Sequence, residues 1–226
     1  MPILLENQTP AAARWHRGAA SPELPPGEVH VWRAWLDEVW NENLDTLSMN
    51  EIIRAERRAN AAERNRDLAG RVFLRDVLSR YLCIAPQDLR LDAGAPFYSS
   101  PASGTLRWTL SESENLALLA LSRASNLGVG VERVHEDLPF DEMAAHFLEP
   151  EEQSGLRTTF AREQKAWKFF DFWTTSEART KAAPMHPFQA PRPLALHRLS
   201  PAEGFLAAVA VGGAHASSRL ALWDWR

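Results

Sequence analysis

A small set of carboxylates, one lysine and two serines stands in patterns that could do chemistry. Glu177 and Lys181 are four residues apart in a helix-forming segment, so they share one helix face and can pair. Glu132 follows the alternating segment 128–131, at a strand end where ligand groups are common. Taken alone, these patterns are also typical of an exposed helix pair worth roughly 0.3 kcal/mol and of a solvent-facing strand residue.

Glu112 lies between Ser111 and Ser113 near the end of another predicted strand. Alone, this Ser-Glu-Ser sequence is typical of turn chemistry, and the two hydroxyls could simply cap the strand end. The only lysines among the 25 basic residues are Lys165, Lys168 and Lys181, and the rest are arginines. A lysine could therefore take part in chemistry only in this one stretch of the chain.

Composition excludes several functional classes. The chain has 226 residues, a net charge of −4 and no basic tail, which argues against nucleic acid as the main partner. The single Cys83 excludes a disulfide framework and a sulfur-rich metal site, and none of the seven histidines has a metal-protease spacing. Without a long apolar run or a cationic leader, we expect a soluble, cytoplasmic protein that contacts no membrane.

The first part of the chain predicts an arm, a strand and a long helix. Residues 1–27 are rich in Pro and Ala and predict a loosely held arm. Alternation from Val29 predicts a strand. Ser48 and Glu51 have the spacing of a capping box, and an apolar stripe predicts an arginine-rich helix from there to Leu82.

Strands and helices alternate irregularly in the remainder. Gly94-Ala95-Pro96 predicts a turn, and Pro184 is expected to stop the last helix. The predicted strands are Leu106–Leu110, Leu116–Leu121, Leu127–Val134, Ala207–Val211 and Leu220–Trp225, and the predicted helices are Pro139–Phe147 and Pro150–Ala183.

This order lacks the regular βαβ alternation of a doubly wound sheet and predicts an α+β protein. We expect two similar-sized, pseudo-symmetric halves, each a small, mostly antiparallel sheet packed with helices. The predicted divisions are an arm at 1–27, an N-terminal half at 28–105 and a C-terminal half at 106–226, with a cleft between the halves.

Four blocks, read in order, resemble the surfactin-synthetase-activating type of 4′-phosphopantetheinyl transferase. They are Gly94-Ala95-Pro96, Trp108-Thr-Leu-Ser-Glu-Ser113, Leu127-Gly-Val-Gly-Val-Glu132 and Trp173-Thr-Thr-Ser-Glu-Ala-Arg-Thr-Lys181. The family typically shows Gly-Lys-Pro, then Asn-hydrophobic-Ser-His-Ser, then Gly-hydrophobic-Asp-hydrophobic-Glu, then Trp-Thr-X-Lys-Glu-X-X-X-Lys. Order and approximate spacing agree over residues 50–182.

The resemblance implies transfer of the phosphopantetheine arm of coenzyme A (CoA) onto a serine of an acyl or peptidyl carrier protein, with Mg²⁺. It implies Glu132 and Glu177 as metal ligands, and Glu177 with Lys181 as groups that help to deprotonate the carrier serine. The residues implied for binding CoA or a pantetheine arm are Ser111, Ser113, Arg66 and Arg75. It also implies a monomer with the site between the halves.

Four positions depart from the family pattern. The departures are Gly130 for the metal-binding Asp, Ala95 and Ser176 for two Lys residues, and Glu112 for the His. Glycine has no side chain that could coordinate Mg²⁺, and a carboxylate near the pyrophosphate repels it. We therefore expect weak binding of CoA and Mg²⁺.

Three functions follow as hypotheses. The first is a divergent enzyme without a cofactor, in which Glu112, Glu132, Glu177 and Lys181 face one cleft, where the crowded carboxylates raise one another's pKa and the group acts as acid and base. Its substrate would be a carrier-protein-bound intermediate of polyketide or nonribosomal-type secondary metabolism. The second is an active transferase with CoA and Mg²⁺, and the third is a non-catalytic protein that binds carrier proteins.

Overall fold

Two β-sheets and the helices that cover them form the fold. The computed structural model describes residues 14–38, 43–91, 97–100, 104–123, 126–183, 193–212 and 219–226. The strands are β1 (His16–Arg17), β2 (Glu28–Trp35), β3 (Phe97–Ser100), β4 (Gly104–Ser113), β5 (Leu116–Ser122), β6 (Asn126–Arg133), β7 (Leu194–Leu199), β8 (Phe205–Gly212) and β9 (Arg219–Asp224). The α-helices are α1 (Met49–Ala55), α2 (Ala61–Leu82), α3 (Phe140–Phe147), α4 (Pro150–Arg157) and α5 (Arg162–Lys181).

The sheets differ in size. The larger one has the strand order β1-β9-β2-β5-β4-β3, in which β9 runs parallel to both of its neighbours and the remaining pairs are antiparallel. The smaller one has the order β6-β8-β7 and is antiparallel. The α+β class is therefore confirmed.

The elements are stacked in layers. One face of the large sheet packs on α2, through residues such as Trp32, Leu119 and Phe73. The other face packs on the small sheet, with Val31 and Val129 in the shared core. The outer face of the small sheet is covered by α5. Since β6 is an edge strand of the small sheet, α5 can reach past it to β4.

The predicted division at residues 105 and 106 falls inside β4, and the last strand, β9, returns to the large sheet. The large sheet therefore contains strands from both predicted halves of the chain. The two similar halves and the cleft between them stay a prediction.

The first predicted helix begins as expected but does not run to Leu82 unbroken. Ser48 and Glu51 form the capping box, with the Ser48 backbone N–H donating to Glu51 Oε2 at 2.9 Å. The single long helix is wrong, because α1 ends at Ala55 and Asn60 starts a second helix. The Asn60 side chain accepts a hydrogen bond from the Glu63 backbone N–H at 2.9 Å, which is N-cap geometry.

The predicted helix Pro150–Ala183 is also two helices. The hydroxyls of Thr158 and Thr159 both donate to the carbonyl of Gly155, and α4 ends at Arg157. Such side-chain bonds to a helix carbonyl compete with continuation of the helix. The predicted turn at Gly94-Ala95-Pro96 and the stop at Pro184 lie outside the described residues.

The other predicted strands and the helix at α3 are present, and β7 is an addition that the sequence patterns did not predict. Cys83 is exposed and ends α2 in the left-handed conformation, with φ of 54°. Among the described residues, no helix is both long and apolar enough to cross a membrane.

Candidate active site

Ser111 and Ser113 of β4 join the large sheet to the edge of the small one. Ser111 Oγ accepts a hydrogen bond from the Val131 backbone N–H at 3.2 Å, and Ser113 Oγ accepts one from Arg133 N–H at 3.1 Å. These bonds replace a backbone ladder between β4 and β6. Both hydroxyls keep a proton to donate, and each donates it to a carboxylate.

Ser111 Oγ donates to Glu177 Oε1 at 2.9 Å. The same oxygen lies 2.7 Å from Lys181 Nζ, so the predicted pair one turn apart on α5 is formed. Lys181 Nζ also donates to the carbonyl of Leu110 at 2.8 Å, and about a third of its side chain is exposed. Glu177 is therefore held between a strand hydroxyl and an ammonium group.

Ser113 Oγ donates to Glu132 Oε2 at 2.6 Å, and the Trp173 side chain donates a second hydrogen bond to the same carboxyl group. Burial raises the pKa of Glu132, and the negative charge of Glu177 raises it further, whereas these hydrogen bonds oppose the shift. A half-buried carboxyl group that retains its proton more readily than usual beside an ion-paired carboxylate is a pattern found in acid/base sites.

Helix α5 approaches β6 closely at two glycines. A Cβ on Gly128 would overlap the carbonyl of Ala178, and a Cβ on Gly130 would lie 2.5 Å from the Thr174 carbonyl and 2.8 Å from Glu177 Oε2. The space in which the family pattern places an aspartate side chain is thus filled by the helix backbone and by Glu177 itself.

A family-type Mg²⁺ site does not fit these residues. Glu177 Oε2 is enclosed by protein and has no hydrogen-bond partner among the described residues, so a hydrated ion reaches it only if α5 moves. The other oxygen of Glu177 is already bound to Ser111 and Lys181. In the described part of the chain, no three His, Cys, Asp or Glu side chains gather in a group that could hold a metal ion.

Glu112 does not join this cluster. Successive strand residues point to opposite faces, so Glu112 points away from its flanking serines toward α2, where its carboxylate occupies the space over Gly70. Glu112 is exposed to solvent, although many protein atoms lie around its carboxyl group. Burial raises the pKa of Glu112 and Asp67 adds to this shift, while the positive charges of Arg71, Arg58 and Lys181 oppose it. The structure thus brings Glu132, Glu177 and Lys181 together and places the Glu112 carboxylate beside α2, and a role of Glu112 in the site stays a prediction.

The two predicted arginine ligands are engaged elsewhere. Arg75 is buried, pairs with Glu51 at 2.8 Å and donates to the carbonyls of Pro86 and Leu89. Burial alone would raise the pKa of Glu51, but hydrogen bonds from Arg75 and from Ser48 lower it. Arg75 thus fastens α2 to α1 and to the segment after α2, and it is left out of the proposed site.

Arg66 is partly exposed and pairs with Asp37 at 2.8 Å. This surface pair is weak enough to exchange for another anion, so Arg66 stays a predicted ligand. Sequence reasoning missed the hydrogen bond of Trp173 to Glu132. The sequence places Trp173 at the start of the fourth block, but it does not show in which direction the indole ring points.

The close approach at Gly130 can be tested by adding a methyl group. Gly130→Ala is expected to lower the free energy of unfolding by about 1–3 kcal/mol, because the added Cβ meets the backbone of α5. Urea unfolding monitored by tryptophan fluorescence measures the change. The matched control is Gly155→Ala in α4, whose Cβ would meet nothing closer than 3.5 Å. The control should be stabilised by about 0.5–1 kcal/mol. Equal effects at both sites would contradict the close approach.

The raised pKa of Glu132 predicts a stability change that depends on pH. A raised pKa means that ionisation of Glu132 opposes folding. This penalty is fully present above the pKa of Glu132 in the folded state and is absent below its pKa in the unfolded state. Glu132→Gln should therefore raise the free energy of unfolding at pH 7 to 8 and change it little near pH 4. The exposed Glu203→Gln serves as control and should show no such trend. Equal destabilisation by Glu132→Gln at both pH values would refute this assignment.

Comparison with known proteins shows the family to which the chain belongs. The 4′-phosphopantetheinyl transferase HetI of Nostoc sp. is 36% identical over 162 residues, which are 69% of this chain and 68% of HetI. The protein slr0495 of Synechocystis sp., which carries the same transferase name, is 28% identical over 139 residues, 60% of this chain and 56% of its own. No protein-family model matches the chain. HetI is more than 30% identical to this chain, and the aligned region covers more than two thirds of HetI. The chain therefore belongs to the 4′-phosphopantetheinyl transferase family.

Proposed function

We propose that this family member binds a carrier protein and uses Glu132 and Glu177, with Lys181, for acid/base chemistry on a group that the carrier presents. It would not transfer phosphopantetheine from CoA by the metal-dependent route. The setting would be secondary metabolism of polyketide or nonribosomal type.

The observation that carries the proposal is the contact of α5 with Gly130. A Mg²⁺ ion bound through few carboxylates depends on the substrate phosphates for its other ligands. Here Ser111 and Lys181 bind one oxygen of the Glu177 carboxylate, and the other oxygen is enclosed against Gly130. The surroundings favour proton transfer over metal binding.

The chemistry would divide between the two carboxyl groups. Glu132 holds its proton more readily than an ordinary glutamate because of burial and the nearby charge of Glu177, so it is suited to donate a proton. Glu177 is paired with Lys181 and is suited to accept one. Ser111 and Ser113 fix the orientation of both groups through the hydrogen bonds to β6.

The carrier protein as partner follows from the family. A carrier-bound group arrives on its own arm, so no free CoA would be required. Arg66, one-third exposed, is the cation that remains available for the phosphate of such an arm if its pair with Asp37 opens.

Phosphopantetheine transfer itself is the second candidate function. It is favoured by the 36% identity to a named transferase and by the meeting of Glu132, Glu177 and Lys181 at the place that the family pattern implies. In this case Mg²⁺ and CoA would bind only after α5 has moved away from Gly130.

Mass spectrometry of a carrier protein decides between the two. The protein is incubated with an apo carrier protein, CoA and Mg²⁺, beside an active transferase as positive control. We expect no mass gain of the phosphopantetheine arm, even with equal amounts of protein and carrier, because the metal site is incomplete. A gain at catalytic amounts that is lost in Glu177→Gln but kept in Glu163→Gln, an exposed residue of the same helix, would establish transfer instead.

If no gain appears, the same two variants separate an enzyme from a scaffold. In the source organism, Glu177→Gln should abolish the metabolite made on the carrier, while carrier binding measured by calorimetry stays intact. Product that stays unchanged with Glu177→Gln, as with the control Glu163→Gln, would mean a non-catalytic binding protein.

A further inference from the structure

His30 of β2 is a buried histidine at a joint between α2 and the large sheet. Only 2% of the residue is exposed, and its ring contacts the rings of Tyr81, near the end of α2, and Trp223, on β9. Its Nδ1 lies 2.6 Å from the Tyr81 hydroxyl, and its Nε2 lies 3.3 Å from Glu28 Oε2. A group that can gain a charge is therefore enclosed where one helix meets two strands.

The partners of His30 determine where each hydrogen lies. Hydrogen bonds from Arg219 lower the pKa of Glu28, so Glu28 is a carboxylate at neutral pH and can only accept. His30 Nε2 must therefore carry a hydrogen, which leaves Nδ1 of the neutral ring as an acceptor. The Tyr81 oxygen accepts a hydrogen bond from the Trp32 indole N–H at 2.8 Å, so its own hydrogen points to His30 Nδ1. Only the neutral ring satisfies all of these contacts.

A proton taken up by His30 would disrupt this arrangement. The new hydrogen on Nδ1 would face the hydroxyl hydrogen of Tyr81 across a contact of 2.6 Å. Tyr81 would then have to turn its hydroxyl away and lose its acceptor. Tyr81 has room to move, because it also lines a cavity of about 310 Å³ together with residues 22–25 and Arg123. The link between α2 and β2 in its present form therefore requires a neutral ring.

The charges around the joint also favour the neutral ring. Burial lowers the pKa of His30 and the positive charge of Arg219 acts in the same direction, whereas Glu28 opposes the shift. Glu28 compensates only in part, because Arg219 already binds it. The other ionisable groups around the joint are Tyr81, whose pKa is raised by burial, the ion pair of Arg80 with Asp76 on α2, Glu23 and Arg123 beside the cavity, and the exposed His16 on β1, which also contacts Trp223.

We propose that His30 is an acid-sensitive lock that holds the end of α2 on the large sheet. The neutral ring binds the Tyr81 hydroxyl and closes the lock. Uptake of one proton from solvent at Nδ1 releases Tyr81 and lets the end of α2 open locally, and no covalent bond changes. The lock lies on the α2 face of the large sheet, opposite the face on which Ser111 and Ser113 contact β6, so it does not rest on the proposed function.

The direction of the pH effect follows from the lowered pKa of His30. Folding favours the neutral ring, so this contribution to stability is complete above the ordinary pKa of histidine, about 6.5. It is lost as the pH falls through the pKa of His30 in the folded state. Between these two values the joint takes up one proton when it opens. The equilibrium constant for opening should therefore rise by up to about tenfold for each unit of falling pH.

Hydrogen exchange of the whole protein, followed by NMR from about pH 7.5 to about pH 5, tests the lock. The Trp32 indole N–H reports the joint because it is bound to Tyr81, and the backbone amides of α5 report the rest of the fold. The variant His30→Gln has a side chain that can donate and accept like the neutral ring but does not titrate. The matched control is His16→Gln, because the exposed His16 contacts Trp223 as His30 does.

We expect exchange of the Trp32 indole, corrected for its intrinsic rate, to accelerate by up to about tenfold for each unit of falling pH, ahead of the α5 amides. His16→Gln should keep this dependence, and His30→Gln should remove it. An unchanged dependence in His30→Gln, its loss in His16→Gln, or an equal acceleration at α5 would overturn the proposal.

If His30→Gln does not fold, the native protein still decides the matter. Long-range proton–nitrogen correlations of the His30 ring should show hydrogen on Nε2 and none on Nδ1 at neutral pH. They should show protonation of Nδ1 at the pH where the Trp32 indole loses its protection. Hydrogen on Nδ1 at neutral pH, or a ring that stays neutral while protection is lost, would overturn the proposal.

Discussion

The site depends on two hydroxyl groups that serve two partners each. Ser111 and Ser113 accept hydrogen bonds from the edge of β6 and donate to Glu177 and Glu132. One pair of side chains therefore fixes both the distance between the two sheets and the orientation of the two carboxyl groups. Removing either hydroxyl would take one hydrogen bond from a backbone N–H of β6 and another from a carboxylate oxygen at once, which is costly in a buried place.

The second constraint is the contact of α5 with the small sheet. Gly128 and Gly130 present no side chain to the helix, so its backbone lies directly on β6 and Glu177 fills the remaining space. The same contact leaves one oxygen of Glu177 buried, with no hydrogen-bond partner in the part of the chain that the structure describes. A site that binds Mg²⁺ needs open space between its carboxylates, whereas close packing holds the two carboxyl groups rigidly, as the proposed acid/base chemistry requires.

Local rules predicted the parts of the fold that depend on local chemistry. The i, i+4 spacing gave the pair of Glu177 with Lys181, and the Ser48 capping box starts α1 as expected. The helix breaks were missed because they depend on single side chains, such as Asn60, that compete with the backbone. Strand alternation would have placed Glu112 opposite its neighbouring serines, but the resemblance to the family pattern outweighed it.

Other features could not be derived from the sequence because they are tertiary. Arg75 looks like a ligand in a basic helix, and only the position of Glu51 from another helix makes it a buried ion pair. The parallel pairing of β9 with β2 depends on a strand from the last part of the chain that inserts beside a strand from the first part. Neither contact leaves a periodic signal in the sequence.

The packing of α5 on β6 implies that Glu132 and Glu177 do not form a metal site. Electron paramagnetic resonance of Mn²⁺, as a substitute for Mg²⁺, tests it most directly when the ion is titrated with the native protein, with and without CoA. We expect the protein at stoichiometric amounts to leave the signal of free Mn²⁺ unchanged, both without CoA and relative to a sample with CoA alone. Saturable loss of that signal, restored by Glu132→Gln, would contradict the claim.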